Sequence, residues 1–177
     1  MALRISVRQG EGVVPWASSF VGVPYEMGGS WYGGRADNEW DSSDDACGRP
    51  RWGDQQYGID CNGLIWSSFN LAGRTGFPHR INAMAYIKDP RFVTVDLRDI
   101  QPGDILASGA HVMMVYSVDD ASRSSTSCQI RIIEARGDPV HRVIITGFRQ
   151  VTKNKDGTYT VRGSDLHYHL RRWREQQ

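Results

Sequence analysis

The feature that most constrains the fold is the series of β-like runs filling the second half of the chain. Ile105-Leu106, His111–Val118, Cys128–Arg136, Val140–Phe148 and Tyr159–Val161 are rich in β-branched and apolar residues. Turn signals punctuate them, with Gln101-Pro102-Gly103-Asp104 before the first run and Asp156-Gly157 before the last. Helical patterns come earlier. Val13 to Gly22 reads as a short helix that stops before Val23-Pro24-Tyr25. Across Cys61 to Ala72 the residues Cys61, Leu64, Ile65, Ser68 and Ala72 share one helical face, and Gly73 is a natural stop. A further helix is expected from Ile81 to Lys88, ended by Asp89-Pro90. Helices first and an antiparallel meander after predict an α+β domain, with N-terminal helices packed on a central antiparallel β-sheet. A length of 177 residues suits one such domain over 1–177 and is short for two.

Between the early helix and Cys61 lies a segment without apolar periodicity. Ser30 to Gly58 is rich in Gly, Asp, Trp and Arg and reads as a long inserted loop. Its tryptophans, Trp31, Trp40 and Trp52, argue against plain disorder and are expected to pack on the body or on a ligand. The acidic cluster Asp37, Glu39, Asp41, Asp44, Asp45 fails the calcium-loop pattern, with Ser42 at position six and Gly48 at position twelve, and reads as a solvated loop.

Composition excludes several classes. A net charge of +1 argues against nucleic-acid binding driven by phosphate neutralisation. The locally basic end Arg171-Arg172-Trp173-Arg174 reads as a solvated C-terminus. No apolar run reaches the length of a membrane span, and the start Met1 to Arg8 has no apolar stretch of signal-peptide length. The three cysteines, Cys47, Cys61 and Cys128, allow one intrachain disulfide at most, so at least one thiol stays free. None are spaced Cys-x-x-Cys, and the five histidines complete no zinc pattern, so no metal is expected. Cys128 lies inside a strand pattern and reads as a small core residue.

Cys61 is different. In Gly58-Ile59-Asp60-Cys61-Asn62-Gly63-Leu64-Ile65 a turn enters the helical stretch, which places Cys61 at a helix N-terminus. The helix dipole and unpaired backbone N–H groups there favour a thiolate over a thiol. A nucleophilic cysteine needs a base and an orienter for that base. His111 opens one β run and Glu134 closes another, so the chain offers Cys, His and Glu in that order. An antiparallel hairpin with His111 opposite Glu134 would pair Met113 with Ile132 and Val115 with Ile130. That apolar face, with His and Glu at its end, is expected to receive the Cys61 helix. Asp60 can cap that helix.

Four pieces, in order, resemble the NlpC/P60 family of papain-like cysteine peptidases, which cut bacterial cell-wall peptides. Val23-Pro24-Tyr25-Glu26-Met27-Gly28-Gly29 is similar to its Pro-Tyr-x-x-Gly-Gly segment, and Asp60-Cys61-Asn62-Gly63-Leu64-Ile65 to its Asp-Cys-Ser-Gly-Leu nucleophile motif. Leu97 through Gln101-Pro102-Gly103-Asp104-Ile105 resembles its Leu-x-Pro-Gly-Asp-Leu turn, and Ala110-His111-Val112-Met113-Met114-Val115-Tyr116 its histidine strand. The resemblance implies a papain-like fold with Cys61 as nucleophile and His111 as base. It puts Glu134 at the third position, where the family usually carries His, Asn or Gln, and Tyr25 near the nucleophile as a substrate or oxyanion contact, beside which the reading of Tyr25 as a core residue stands open; it also implies that Asp60 binds a substrate amine. The backbone N–H of Cys61 is a natural oxyanion donor. Asn62 for Ser and the long 30–58 insertion depart from the family pattern.

The reaction so implied is thiol hydrolysis of an amide bond in peptidoglycan stem peptides, at the bond between D-glutamate and the diamino acid, with no cofactor. Two other readings stand beside it: an acyltransferase or other amidase with the same Cys-His pair, and a non-catalytic wall-binding or phage-tail module. The expected partner is a stem peptide, with no nucleic acid and no membrane span. The substrate lies outside the cytoplasm, which suits a secreted effector, a phage component or a domain trimmed from a longer protein.

Overall fold

A computed structural model describes residues 12–25, 27, 31–32, 35–36, 58–74 and 82–174. Helix α1 (Val13–Ser19) buries Val13 and Ala17. It ends earlier than expected, in a turn through Gly22, whose φ of 90° suits glycine. Strands β1 (Trp31–Tyr32) and β2 (Arg35–Ala36) pair as a small antiparallel hairpin within the inserted segment, which had been expected to lack such structure. The side chain of Trp31, and all of Trp40, Trp52, Cys47 and the acidic cluster, lie outside the described residues.

Helix α2 (Cys61–Leu71) starts on Asp60, whose Oδ1 accepts a hydrogen bond from Gly63 N at 2.6 Å. It stops before Gly73, whose φ is 71°. Nearly every side of α2 is buried, including Cys61, Leu64, Ile65, Trp66, Ser67, Ser68 and Phe69. A helix so enclosed sits between elements, here α1 on one side and the sheet on the other. Helix α3 (Ala83–Lys88) is capped by Asn82, whose side chain accepts from Ala85 N at 2.9 Å. Of the described helices, none is long and apolar enough to cross a membrane.

The remaining strands are β3 (Phe92–Thr94), β4 (Ile105–Ala107), β5 (Val112–Asp119), β6 (Ser127–Arg136), β7 (Arg142–Ile145), β8 (Arg149–Lys153), β9 (Tyr159–Val161) and β10 (His167–Trp173). All their pairings are antiparallel. The order β10, β4, β5, β6, β8, β9 returns to β10, so the expected central sheet is closed into a barrel rather than left open. Closure removes the two edges an open sheet would expose. Both long strands are shared. β6 pairs with β8 at its start and β7 at its end, while β10 pairs with β9 at its start and β3 at its end.

The strands alternate between two cores. Leu106, Met113, Val115, Cys128, Ile130, Ile132, Val151, Tyr159, Val161, Tyr168 and Leu170 fill the barrel. Ile105, Ala107, Val112, Met114, Ile133, Ala135 and Val143 face outward and pack against the helices. This corrects one expectation. Helix α2 rests on the Val112, Met114 and Ile133 face, not on the face of Met113, Val115 and Ile132, which points into the barrel.

The register also differs. Met114 pairs with Ile133 and Val115 with Ile132, and an irregularity between Val115 and Ser117 shifts the rest of the hairpin. His111 is therefore offset by two residues from the expected partner. A shift of two keeps every side chain on its own face, so His111 and Glu134 still point the same way, now diagonally.

The basic C-terminal end is not a solvated tail. It is strand β10, with Tyr168 and Leu170 turned inward. Arg172 reaches back to Asp104, the carboxylate that follows Pro102-Gly103, through Nε at 2.6 Å and Nη2 at 2.9 Å. Asp104 is fully buried and also accepts from Gln101 N at 2.9 Å. Burial pushes its carboxyl up despite the guanidinium. Trp173 packs edge-on against Phe69 and Phe92, with ring centroids 6.0 and 5.3 Å away, joining β10 to α2 and β3.

Candidate functional site

Cys61 is the first residue of α2, held there by the Asp60 cap, and is 7% exposed. His111 precedes β5 in a tight turn in which His111 N donates to Ser108 Oγ at 2.9 Å and Ser108 N donates to His111 O at 2.8 Å. That turn fixes the ring at the barrel rim, where α2 crosses the outer face of β5. The Cys61 thiol stands close enough to the His111 ring to favour its charged form. Nε2 of that ring lies 3.0 Å from Oε2 of Glu134. With Nε2 so engaged, Nδ1 is the nitrogen left for the thiol.

The electrostatics favour a charged imidazole. Burial opposes the imidazolium, but the hydrogen bonds and charges of Cys61 and Glu134 outweigh it and raise His111 to about 9. Glu134 is 4% exposed. Burial pushes its carboxyl up, while the bond to His111 and the charges of His111, Arg149 and Arg136 pull it down further, so it stays below the ordinary carboxylate value. Both shifts favour an anionic carboxylate against a cationic ring.

Tyr25 approaches the same place from the segment after α1. Its backbone N donates to His141 O at 2.9 Å, and its ring packs over Gly137 at the end of β6. A cavity of about 230 Å³ opens here, and its walls include Tyr25, His111, Glu134, Arg136, Arg149 and Tyr168. The structure thus brings together Cys61, His111 and Glu134, sets Tyr25 on the cavity wall, and leaves Asp60 buried at 2% exposure beneath the helix start. Cys128 is far from this role. It is 1% exposed inside the barrel, and burial pushes its thiol up to about 11. Among the described residues both Cys61 and Cys128 are free thiols.

Sequence reasoning missed Arg149, whose Nη2 lies 3.8 Å from Oε1 of Glu134. It lies just past the expected run Val140–Phe148, where the structure starts the separate strand β8. The signal that could have found it is register. Arg149 pairs with Ile130, and directly paired residues share a face, so Arg149 points the way of Ile130, Ile132 and Glu134.

No family model matches the chain, and no curated protein matches it. Solved structures do share its fold. One is the peptidoglycan hydrolase RipB from Mycobacterium tuberculosis, with a TM-score of 0.54 at 21% identity over 99% of this chain and 70% of that one. Another is the P60 domain of the antigen MAP1204 from M. avium subspecies paratuberculosis, with a TM-score of 0.50 at 21% identity over 96% of this chain and 97% of that one. The likeness in fold agrees with the NlpC/P60 resemblance carried by the four sequence pieces.

Proposed function

We propose that this chain is a cysteine peptidase that hydrolyses an amide bond in peptidoglycan stem peptides, at the bond between D-glutamate and the diamino acid. The observation that carries this reading is Cys61 at the start of α2 beside the His111 ring, which is itself hydrogen-bonded to Glu134, on a fold shared with P60-type structures. A helix bearing the cysteine against a sheet bearing the histidine supports the papain-like description. In this reading residues 1–177 form one catalytic domain with the 30–58 segment inserted beside the site.

The chemistry follows from the geometry. Proton transfer from Cys61 to His111 leaves a thiolate beside an imidazolium that Glu134 stabilises. The thiolate attacks the amide carbonyl, and the backbone N–H of Cys61 donates to the oxyanion from the first turn of α2. His111 then gives its proton to the leaving amine, and an acyl-enzyme remains. His111 next takes a proton from water, the hydroxide adds to the thioester, and the carboxylic acid leaves as the thiolate reforms. Tyr25 is the substrate contact we favour, because it shares the cavity wall with His111. A contact from Asp60 to a substrate amine has less support, because that carboxylate already caps α2.

The test is incubation with purified muropeptides, read by mass spectrometry. Wild type should release fragments cut on the D-glutamyl side of the diamino acid, and Cys61→Ala should release none while keeping its circular dichroism spectrum. Intact muropeptides with wild-type protein would sink the proposal, and acyl-transfer products would move it to the transferase reading.

A further inference from the structure

We propose that Arg149 is a positioning residue for the site: it holds the Glu134 carboxylate ionised and oriented, and through it the His111 imidazolium. The inference deepens the proposed function and rests on its assignment of Cys61, His111 and Glu134.

A buried carboxylate needs partners for both oxygens. Oε2 of Glu134 has His111, while among the described residues Oε1 is buried without a hydrogen bond and has one ion-pair neighbour, the Arg149 guanidinium at 3.8 Å. Conversely, Glu134 is the only ion-pair partner of Arg149 among the described residues. The pairing is built into the barrel. Arg149 begins β8 opposite Ile130, on the interior-facing side of the sheet, and shares a cavity wall with Glu134. An arginine turned into a barrel wall is costly to desolvate without a compensating anion.

The groups bearing on Glu134 come from every element around it. His111 precedes β5, Arg149 is on β8, Tyr168 is on β10, and Arg136 lies on β6 itself. Arg136 acts through its charge alone, with no ion pair to the carboxylate. Cys61, on α2, bears on the same His111 ring.

The test reads the array without substrate. The rate of iodoacetamide alkylation at Cys61 is followed against pH in wild type, Arg149→Gln, Arg149→Lys, Glu134→Gln and the Glu134→Gln/Arg149→Gln double variant. Without Arg149, Glu134 takes up its proton at higher pH, and the imidazolium loses its anion sooner as pH falls. The lower limb of the profile should move to higher pH by about half a unit or more in Arg149→Gln. Arg149→Lys keeps the charge and should stay near wild type. In the Glu134→Gln background the Arg149→Gln change should add no further loss, because its target is gone. An unmoved profile in Arg149→Gln, or an equal loss in both backgrounds, would overturn the proposal. Muropeptide kinetics separate the two readings. A shifted alkylation profile with no muropeptide cleavage leaves Arg149 in place and rejects the hydrolase, whereas cleavage with an unmoved profile does the reverse. Where cleavage occurs, Arg149→Gln should lower kcat by about tenfold with little change in KM; a rise in KM alone would assign Arg149 to substrate instead.

Discussion

His111 meets two opposed forces. Burial disfavours its charged form, and the hydrogen bonds and charges of Cys61 and Glu134 favour it more strongly, so the ring titrates at about 9 instead of 6.5. A group whose folded value is raised stabilises the fold fully below its unfolded value and loses that contribution as pH rises through the folded one. The His111 contribution is therefore complete below about 6.5 and gone above about 9. Catalysis should follow the same limb: kcat for muropeptide cleavage should fall as pH rises through about 9, as the leaving amine loses its acid, which a steady-state pH profile checks. Glu134 has the opposite sign. Its folded value is lowered, so its contribution is present above the ordinary carboxyl value and is lost as pH falls through the folded one. Glu134→Gln preserves shape and removes the charge. It should lower kcat by about tenfold or more, at least ~1.4 kcal/mol of transition-state stabilisation. It should also move the alkaline limb to lower pH, because the imidazolium has lost its anion. Glu134→Ala should be worse, since orientation goes as well.

Strand β10 shows how a polar-looking segment can be a structural one. In His167-Tyr168-His169-Leu170-Arg171-Arg172-Trp173 only Tyr168 and Leu170 enter the barrel, and the arginines dominate the local composition. Arg172 ties β10 to the turn before β4 by a two-point grip on Asp104, whose side chain is fully buried. Removing one partner of a buried pair leaves the other uncompensated. Arg172→Ala should destabilise the fold by about 3 kcal/mol, near the low end for such pairs because the arginine is partly exposed. A denaturant titration should show a lower midpoint with an unchanged slope. The loss should shrink as pH falls, since Asp104, already raised by burial, then takes a proton and its charge penalty disappears. In the β5–β6 hairpin, Met114 and Val115 pair two residues off the expected register, and that even offset keeps His111 and Glu134 on one face.

The closed barrel depends on its last strand. β10 hydrogen-bonds to β4 on one edge and to β9 and β3 on the other, so losing it opens the ring and exposes unpaired edges. Deleting residues 166–177 should abolish the cooperative unfolding transition and lead to aggregation. A deletion variant that keeps a native near-ultraviolet circular dichroism spectrum would contradict this. The site itself stands where the barrel rim meets α2, so its geometry depends on both cores at once.

Local chemistry was enough to determine several things about this protein. A capping Asp before Cys61, helical spacing to Ala72, and the alternation of His111, Met113, Val115 with Ile130, Ile132, Glu134 placed the helix start and the face shared by His and Glu, because caps and side-chain periods are local properties. Only the tertiary structure decided which face α2 covers, that β8 and β10 are strands, that the sheet closes, and that Arg149 and Arg172 meet Glu134 and Asp104. Those outcomes rest on pairings between residues far apart in the chain. A strand's own pattern says which side chains share a face, but not which strand lies beside it, and a basic residue declares its buried partner only once the backbone has brought the two together.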